Sequence, residues 1–158
     1  MEYLEATGDF SGCPRPHVFL AGGIAGCPDW QSEIVGLLQS CTQGTLLNPR
    51  RSNFPIHDPA AAQEQITWEH HALWQAEIVT MWFADSTLQP ICMFELGTLL
   101  ARHHLKHSPL GVLIVGSDPN YARIQDVRIQ TALVDPSIPI RTSLADHADA
   151  IRRAVEAL

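Results

Sequence analysis

Short apolar runs alternate along this chain with longer segments whose apolar residues recur every three or four positions. The run "HVFLAGGI" (17–24) has the pattern of a buried strand and ends in two glycines, which predicts a tight turn. In "PDWQSEIVGLLQS" (28–40), Trp30, Ile34, Leu37 and Leu38 fall on one helical face, with Pro28 where a first turn tolerates proline. A second strand, "GTLLNP" (44–49), is stopped by Pro49 and followed by the loop "RRSNFPIHDPAA". A helix is expected over 63–76 with Ile66, Trp68, Leu73 and Trp74 as its bulk, then a third strand, "EIVTMWFA" (77–84). The loop "DSTLQP" leads into a helix over 91–104, and "LGVLIVG" (110–116) is the clearest strand of all. "NYARIQDVRIQTAL" reads as helix, "IPIRT" as a short fifth strand, and "SLADHADAIRRAVEAL" as a final helix with Ser143 as its N-cap.

Strands separated by helices pair in parallel through right-handed crossovers. The expected architecture is therefore α/β: a flavodoxin-like three-layer sandwich with a five-stranded parallel sheet in the order 2-1-3-4-5. One domain over 1–158 is expected, with residues 1–15 as an N-terminal extension. Such sheets bind ligands beyond the carboxyl ends of their strands, at the switch point between the first and third. That rule brings together "AGGI", "ADSTLQPICMFE" and "GSDPNY".

Composition narrows the partners. The 158 residues are 46% hydrophobic and carry a formal net charge of -7, which argues against a nucleic-acid polymer or an anionic membrane and leaves room for a phosphate-free nucleoside. No apolar stretch reaches transmembrane length, and the acidic start lacks the regions of a signal peptide. Four cysteines without CxxC spacing point to reduced thiols in a cytoplasmic protein rather than to zinc or a disulfide framework. The adjacent pairs His70-His71 and His103-His104, with His107 beyond, point about 100° apart on a helix and make poor chelates.

One charge stands out. Glu95 is the lone carboxylate of "PICMFELGTLL". It lies about one turn into the helix after the third strand, so it can face the crevice near the positive end of that helix. A carboxylate there would be held ionised, as a nucleophile must be. Alternatively, Glu95 caps a neighbouring backbone or pairs with an arginine such as Arg102. Gly22 and Gly23 suit either close backbone approach to a ligand or a tight turn, and neither GxGxxG nor a phosphate loop is present. Asn53 and Phe54 sit in a long loop of the kind that forms lids, where Phe54 can stack on a base or plug the core. Trp82 and Phe83 point to opposite faces of their strand, so one of them can line a pocket.

The runs "VFLAGGI", "LLNPRRSNF", "QITWEHHALWQAEIVTMWF", "PICMFELG" and "VGSDPNYARIQDVRIQ", in this order and spacing, resemble the nucleoside 2-deoxyribosyltransferase superfamily, in particular its smaller bacterial branch. The resemblance implies a flavodoxin-like fold, a homo-oligomer with shared active sites, and no metal or organic cofactor. It also implies a 2'-deoxynucleoside and a free nucleobase as substrates, and the glutamate of "ELG", Glu95, as nucleophile. The chemistry is the double displacement of retaining glycosidases with a nucleobase as leaving group. A second carboxyl must protonate that base. The resemblance points to Glu77, after Ala76, where the family has aspartate; Asp85, at the exit of the third strand, is the other candidate. Substrate contacts are expected from Gly22, Gly23, Ile24, Asn53, Phe54, Trp82, Gln89 and Asp126, and the resemblance puts Gln89 at a base-contacting position. Asp126 stands where the family has an asparagine reaching a neighbouring subunit's site, and Phe19 where it has a tyrosine. The expected activity is exchange of the base of 2'-deoxynucleosides. The alternatives are an N-glycosidase or a non-catalytic nucleotide-binding module on the same scaffold.

Overall fold

In the computed structural model, which describes residues 1–55, 57–105 and 111–158, the apolar runs pair into one fully parallel sheet. The elements run β1 (Glu2–Glu5), β2 (His17–Gly22), α1 (Trp30–Leu37), β3 (Thr45–Asn48), α2 (Ala61–Gln75), β4 (Ile78–Phe83) and α3 (Pro90–Leu105). They continue with β5 (Val112–Ser117), α4 (Ile124–Val134), β6 (Ile140–Arg141) and α5 (Leu144–Glu156). The strand order is β1-β3-β2-β4-β5-β6. Five of these strands reproduce the expected order 2-1-3-4-5. The sixth, β1, comes from the segment expected to be an extension, and it pairs with β3 from Glu2↔Thr45 to Glu5↔Asn48. "EYLE" carries no apolar run because an edge strand bonds its backbone on one side only and stays half in solvent. His107 and Leu110, the expected start of the fourth strand, lie outside the described residues.

Alternate side chains of the buried strands feed two cores, which makes the three layers. Val18, Leu20, Leu46, Ile78 and Ile114 face α1 and α5, meeting Trp30, Ile34, Ile151 and Val155. Phe19, Leu47, Val79, Met81, Phe83 and Val115 face the other way, onto Trp68 of α2, Leu96 and Leu99 of α3 and Val127 of α4. Helix ends follow local chemistry. Asp29 caps α1 by accepting from the Ser32 N–H at 3.1 Å, and Ser143 caps α5 by accepting from Asp146 N at 3.2 Å. Pro28 therefore precedes the cap instead of opening the helix. In α2 the buried residues are Ala61, Trp68, Ala72 and Leu73, while Ile66 and Trp74 are exposed. The small Ala61 and Ala72, rather than the bulky Ile66 and Trp74, let this helix lie close to the sheet. No helix among the described residues is long and apolar enough to cross a membrane.

The α5 face buries one titratable group. His147 has no solvent exposure. Its Nε2 is hydrogen-bonded to Thr80 Oγ1, its ring stands edge-on to Trp82 at 5.2 Å, and its Nδ1 has no partner among the described residues. Burial pushes its pKa down to about 3, with the Arg141 charge adding to the effect. The unfolded chain thus binds this proton near pH 6.5 and the folded chain does not. Stability from His147 is complete above that value and falls by about 1.4 kcal/mol per pH unit as pH drops towards 3. Urea denaturation at pH 7, 6 and 5 should show the native protein's stability falling ever more steeply towards this slope, and that fall lost in His147→Gln.

Candidate active site

β2 and β4 lie side by side, yet the connection after β2 leads to β3 on one flank and that after β4 leads to β5 on the other. Their carboxyl ends therefore part, and a cavity of about 390 Å³ opens between them. Phe19, Ala21 and Gly22 of β2 form its floor, and Gly23, Ile24 and Ala25 its rim. Pro49 after β3, Glu69 of α2, the segment Thr87–Gln89, and Cys92 and Glu95 of α3 complete the wall. Gly22 has φ +146°, a backbone state that side chains rarely adopt. Gly23 is needed for space, because a Cβ there would stand 2.5 Å from Gln89 Oε1 and from Cys27 Sγ.

Two carboxyl groups share this cavity. Glu95 sits on the sixth residue of α3, beyond the first turn, where the helix dipole has faded. Among the described residues it forms no ion pair, and Arg102 turns to backbone oxygens of α2 instead: Nη1 donates to Leu73 O at 2.6 Å. Burial raises the Glu95 pKa to about 7, and the charge of Glu69 adds to the rise. The expectation that helix position alone would hold Glu95 ionised is thereby corrected: desolvation and a neighbouring anion outweigh a dipole effect worth about 0.3–1 kcal/mol. Glu69 is also raised, chiefly by burial, while a hydrogen bond from Gln65 Nε2 at 2.7 Å works against the rise. Gln65 donates as well to Pro49 O at 2.6 Å, which anchors α2 to the end of β3. Two half-buried carboxyls on one cavity, both with raised pKa values, are the arrangement that paired acid and nucleophile work requires.

Gln89 is the third polar element. Its backbone has φ 49°, uncommon for a residue with a side chain. Its Nε2 donates to Ala84 O at 2.5 Å and Thr87 O at 3.1 Å. Tyr121, stacked on Phe83 at 5.2 Å, donates its hydroxyl to Leu88 O at 2.6 Å and fixes the same loop. The amide is locked, and among the described residues its buried Oε1, in a wall of the cavity, has no partner. It is an acceptor awaiting a donor.

Of the residues read from the sequence, Gly22, Gly23, Ile24, Gln89 and Glu95 converge on this cavity, as does Phe19. The others do not. Glu77 precedes β4 at the amino end of the sheet, roughly 17 Å of strand from the crevice. There it pairs with Arg15 and accepts from His17 N at 2.8 Å, a structural tie in place of the expected acid. Asp85 is exposed and lines a separate cleft of about 360 Å³ with Trp82, Asp29 and Asp118, on the α1–α5 side of the sheet. Trp82 points to that side because it alternates with Phe83, which faces the other core. Asn53 and Phe54 lie exposed outside the cavity, and Phe54 packs under Arg51, whose guanidinium is 5.6 Å from the ring centre. Asp126 pairs with Arg123 at 3.0 Å and lies in a groove between α3 and α4. Arg50 is spent on the β2–α1 loop, donating to Gln31 Oε1 at 2.9 Å and Pro28 O at 2.8 Å. Sequence reasoning missed Glu69. The signal available was its place one turn after Gln65 and beside Trp68, on the flank of the buried stripe of α2. Among the described residues no cluster of three or more His, Cys, Asp or Glu is arranged to hold a metal ion.

A family model described as "Nucleoside 2-deoxyribosyltransferase like" matches residues 15–107, more than half of the chain and all of the cavity lining. No curated protein matches the chain.

The pairing of the carboxyls has a direct consequence. Replacing Glu69 by Gln removes the anion that adds to the Glu95 shift and leaves the burial. The Glu95 pKa should fall below about 7 yet stay above its ordinary value of 4.5. A carbon-13 NMR titration of the Glu95 carboxyl in both proteins measures this.

Proposed function

Since the chain belongs to the nucleoside 2-deoxyribosyltransferase-like family, we propose that it moves 2-deoxyribose between nucleobases, with Glu95 as nucleophile and Glu69 as acid and base. The observation that carries this reading is the pair of carboxyl groups facing one cavity at the carboxyl ends of the strands. A Glu95 oxygen attacks the anomeric carbon of a 2'-deoxynucleoside, and the electron pair of the breaking C–N bond passes to the base. Glu69 delivers a proton to the departing base, leaving a deoxyribosyl ester on Glu95. An incoming base then attacks the same carbon, gives its N–H proton to Glu69, and restores the Glu95 carboxylate. The raised pKa values of both groups support this division of labour, and among the described residues Glu95 has no ion-pair partner to hold its oxygens back from attack.

Among the described residues, the lining carries no cationic side chain. That supports an uncharged nucleoside over a phosphate-bearing nucleotide, because a dianion would meet two carboxyls and an amide oxygen. Gln89 Oε1 is placed to accept from a hydroxyl or N–H of the nucleoside. The volume of about 390 Å³ is of the size that encloses a small ligand. The proposal extends to a homo-oligomer in the cytoplasm, where four free thiols stay reduced. Support for the oligomer is the outward face of α3, where Ile91, Phe94 and Leu105 stand exposed beside Trp74 of α2, with Phe94 75% exposed.

Incubation with deoxyinosine and adenine should yield deoxyadenosine, and Glu95→Ala should lower turnover by more than about a thousandfold, as loss of a nucleophile does. Glu69→Gln should cost about 10²–10⁴-fold, the range for general acid–base catalysis. Free deoxyribose without exchange would make the protein a hydrolase, binding without turnover would make it a sensor, and turnover in Glu95→Ala would remove the nucleophile. In sedimentation equilibrium the native protein should exceed its monomer mass of 17.4 kDa, and Phe94→Glu should return it to that mass.

A further inference from the structure

Glu69 and Glu95 ride on different helices, so their separation depends on how α2 and α3 are held against each other on the sheet. The guanidinium of Arg102 joins those helices close by. It donates from Nη1 to Leu73 O at 2.6 Å and from Nη2 to Trp74 O at 3.4 Å, and it lies over the Trp74 ring at 4.1 Å from the centroid. Leu73 and Trp74 belong to the last turn of α2, whose carbonyls have no partner within the helix. A planar fork with several N–H groups meets two of these at once, which an ammonium cannot do in one plane. The residue is only 6% exposed. Burying a cation is costly, and an apolar side chain would have filled the space more cheaply.

Its position in the two helices gives the contact meaning. Arg102 follows Glu95 by seven residues, nearly two full turns, so both project from the same side of α3, about 10 Å apart along the axis. Leu73 follows Glu69 by four residues, one turn along α2. The tie therefore sits one turn from one carboxyl and two turns from the other. The remaining named side-chain bonds of α2 lead elsewhere, from Gln65 to Pro49 O and from Trp68 Nε1 to Gly8 O at 2.7 Å. Among the described residues, Arg102 makes the side-chain hydrogen bonds that run from α3 to α2.

We propose that Arg102 is a positioning residue that sets the spacing of the Glu69–Glu95 pair by clamping α3 to the carboxyl end of α2. It touches no substrate and acts through the two carboxyls. This inference rests on the reading of that pair as the reacting groups, and its test separates the two.

The test uses Arg102→Lys and Arg102→Met in the full chain. Carbon-13 titration of the Glu69 and Glu95 carboxyls needs no turnover and reads their coupling directly. Both variants should show the upper pKa of the pair moved down by half a unit or more, as the carboxyls separate and water enters. With deoxyinosine and adenine, kcat should fall tenfold or more while KM changes less than threefold, since the loss is of geometry at the reacting carbon. Thermal melts separate this from stability: a purely structural arginine would lower Tm and leave the titration and the kcat of the folded molecules unchanged, and that outcome overturns the proposal. If Arg102→Met does not fold, Arg102→Lys, which keeps the charge and loses the fork, decides by the same titration. Absence of turnover in the native protein would defeat the proposed function and leave the titration to judge the clamp.

Discussion

Two carboxyl groups facing one largely apolar cavity is the constraint around which this molecule is arranged. The Glu69 charge raises the free energy of ionised Glu95, and burial raises that of both. Nothing in the packing asks for such a pair. A leucine at either position would fill the space without the electrostatic cost. What holds them there is the rigid frame behind them. α3 is pinned by Leu96, Leu99 and Leu100, and α2 by Trp68, Ala72 and Leu73, against the same face of the sheet. Gln65 then supplies one donor to Glu69 and ties that helix to the end of β3. The electrostatic strain is local and the packing that opposes it is distributed, which is how stable domains carry reactive sites.

Direction along the strands decides which polar residues join the site. β4 separates two acidic neighbours by its full length. Glu77, before it, closes the amino end by meeting Arg15 and the His17 N–H. The segment after it, from Ala84 to Gln89, opens the crevice. A glutamate and an aspartate flanking one strand look alike in a string of letters. In the sheet one is masonry and the other faces solvent on the far side, and neither is near Glu95. The parity of the strand settles Trp82 in the same way, since its neighbour Phe83 takes the side nearer the cavity.

This explains how much was legible beforehand. The alternation of apolar runs and helical stripes carried the layer order and five of six strands, because buried parallel strands are continuous apolar runs. β1 was hidden, since an exposed edge strand is held by backbone pairing to β3 and needs no apolar signature. Glu95 could be read because it interrupts an uncharged run. Glu69 could not, because α2 also carries Glu64, His70 and His71 on its solvent side. A carboxylate among charges announces nothing until its helix is docked and its flank is seen to border a cavity. Gln89 was marked by position, but its locked amide, unusual backbone and unpaired oxygen belong to three dimensions.

The division of the chain between chemistry and support follows from the same geometry. Every residue lining the carboxyl cavity falls between Phe19 and Glu95. The region after α3 contributes from behind: Tyr121 bonds Leu88 O and steadies the loop that presents Gln89, and α5 covers the opposite face of β4 with His147 against Thr80. A change in α5 can therefore reach the site only through β4 or through the loop after it. β4 is buried along its whole length and hydrogen-bonded on both edges, so it transmits little by bending and much by loss of support. The cavity lining is confined to one stretch of chain, while its geometry depends on the layers on both sides of the strand that leads into it.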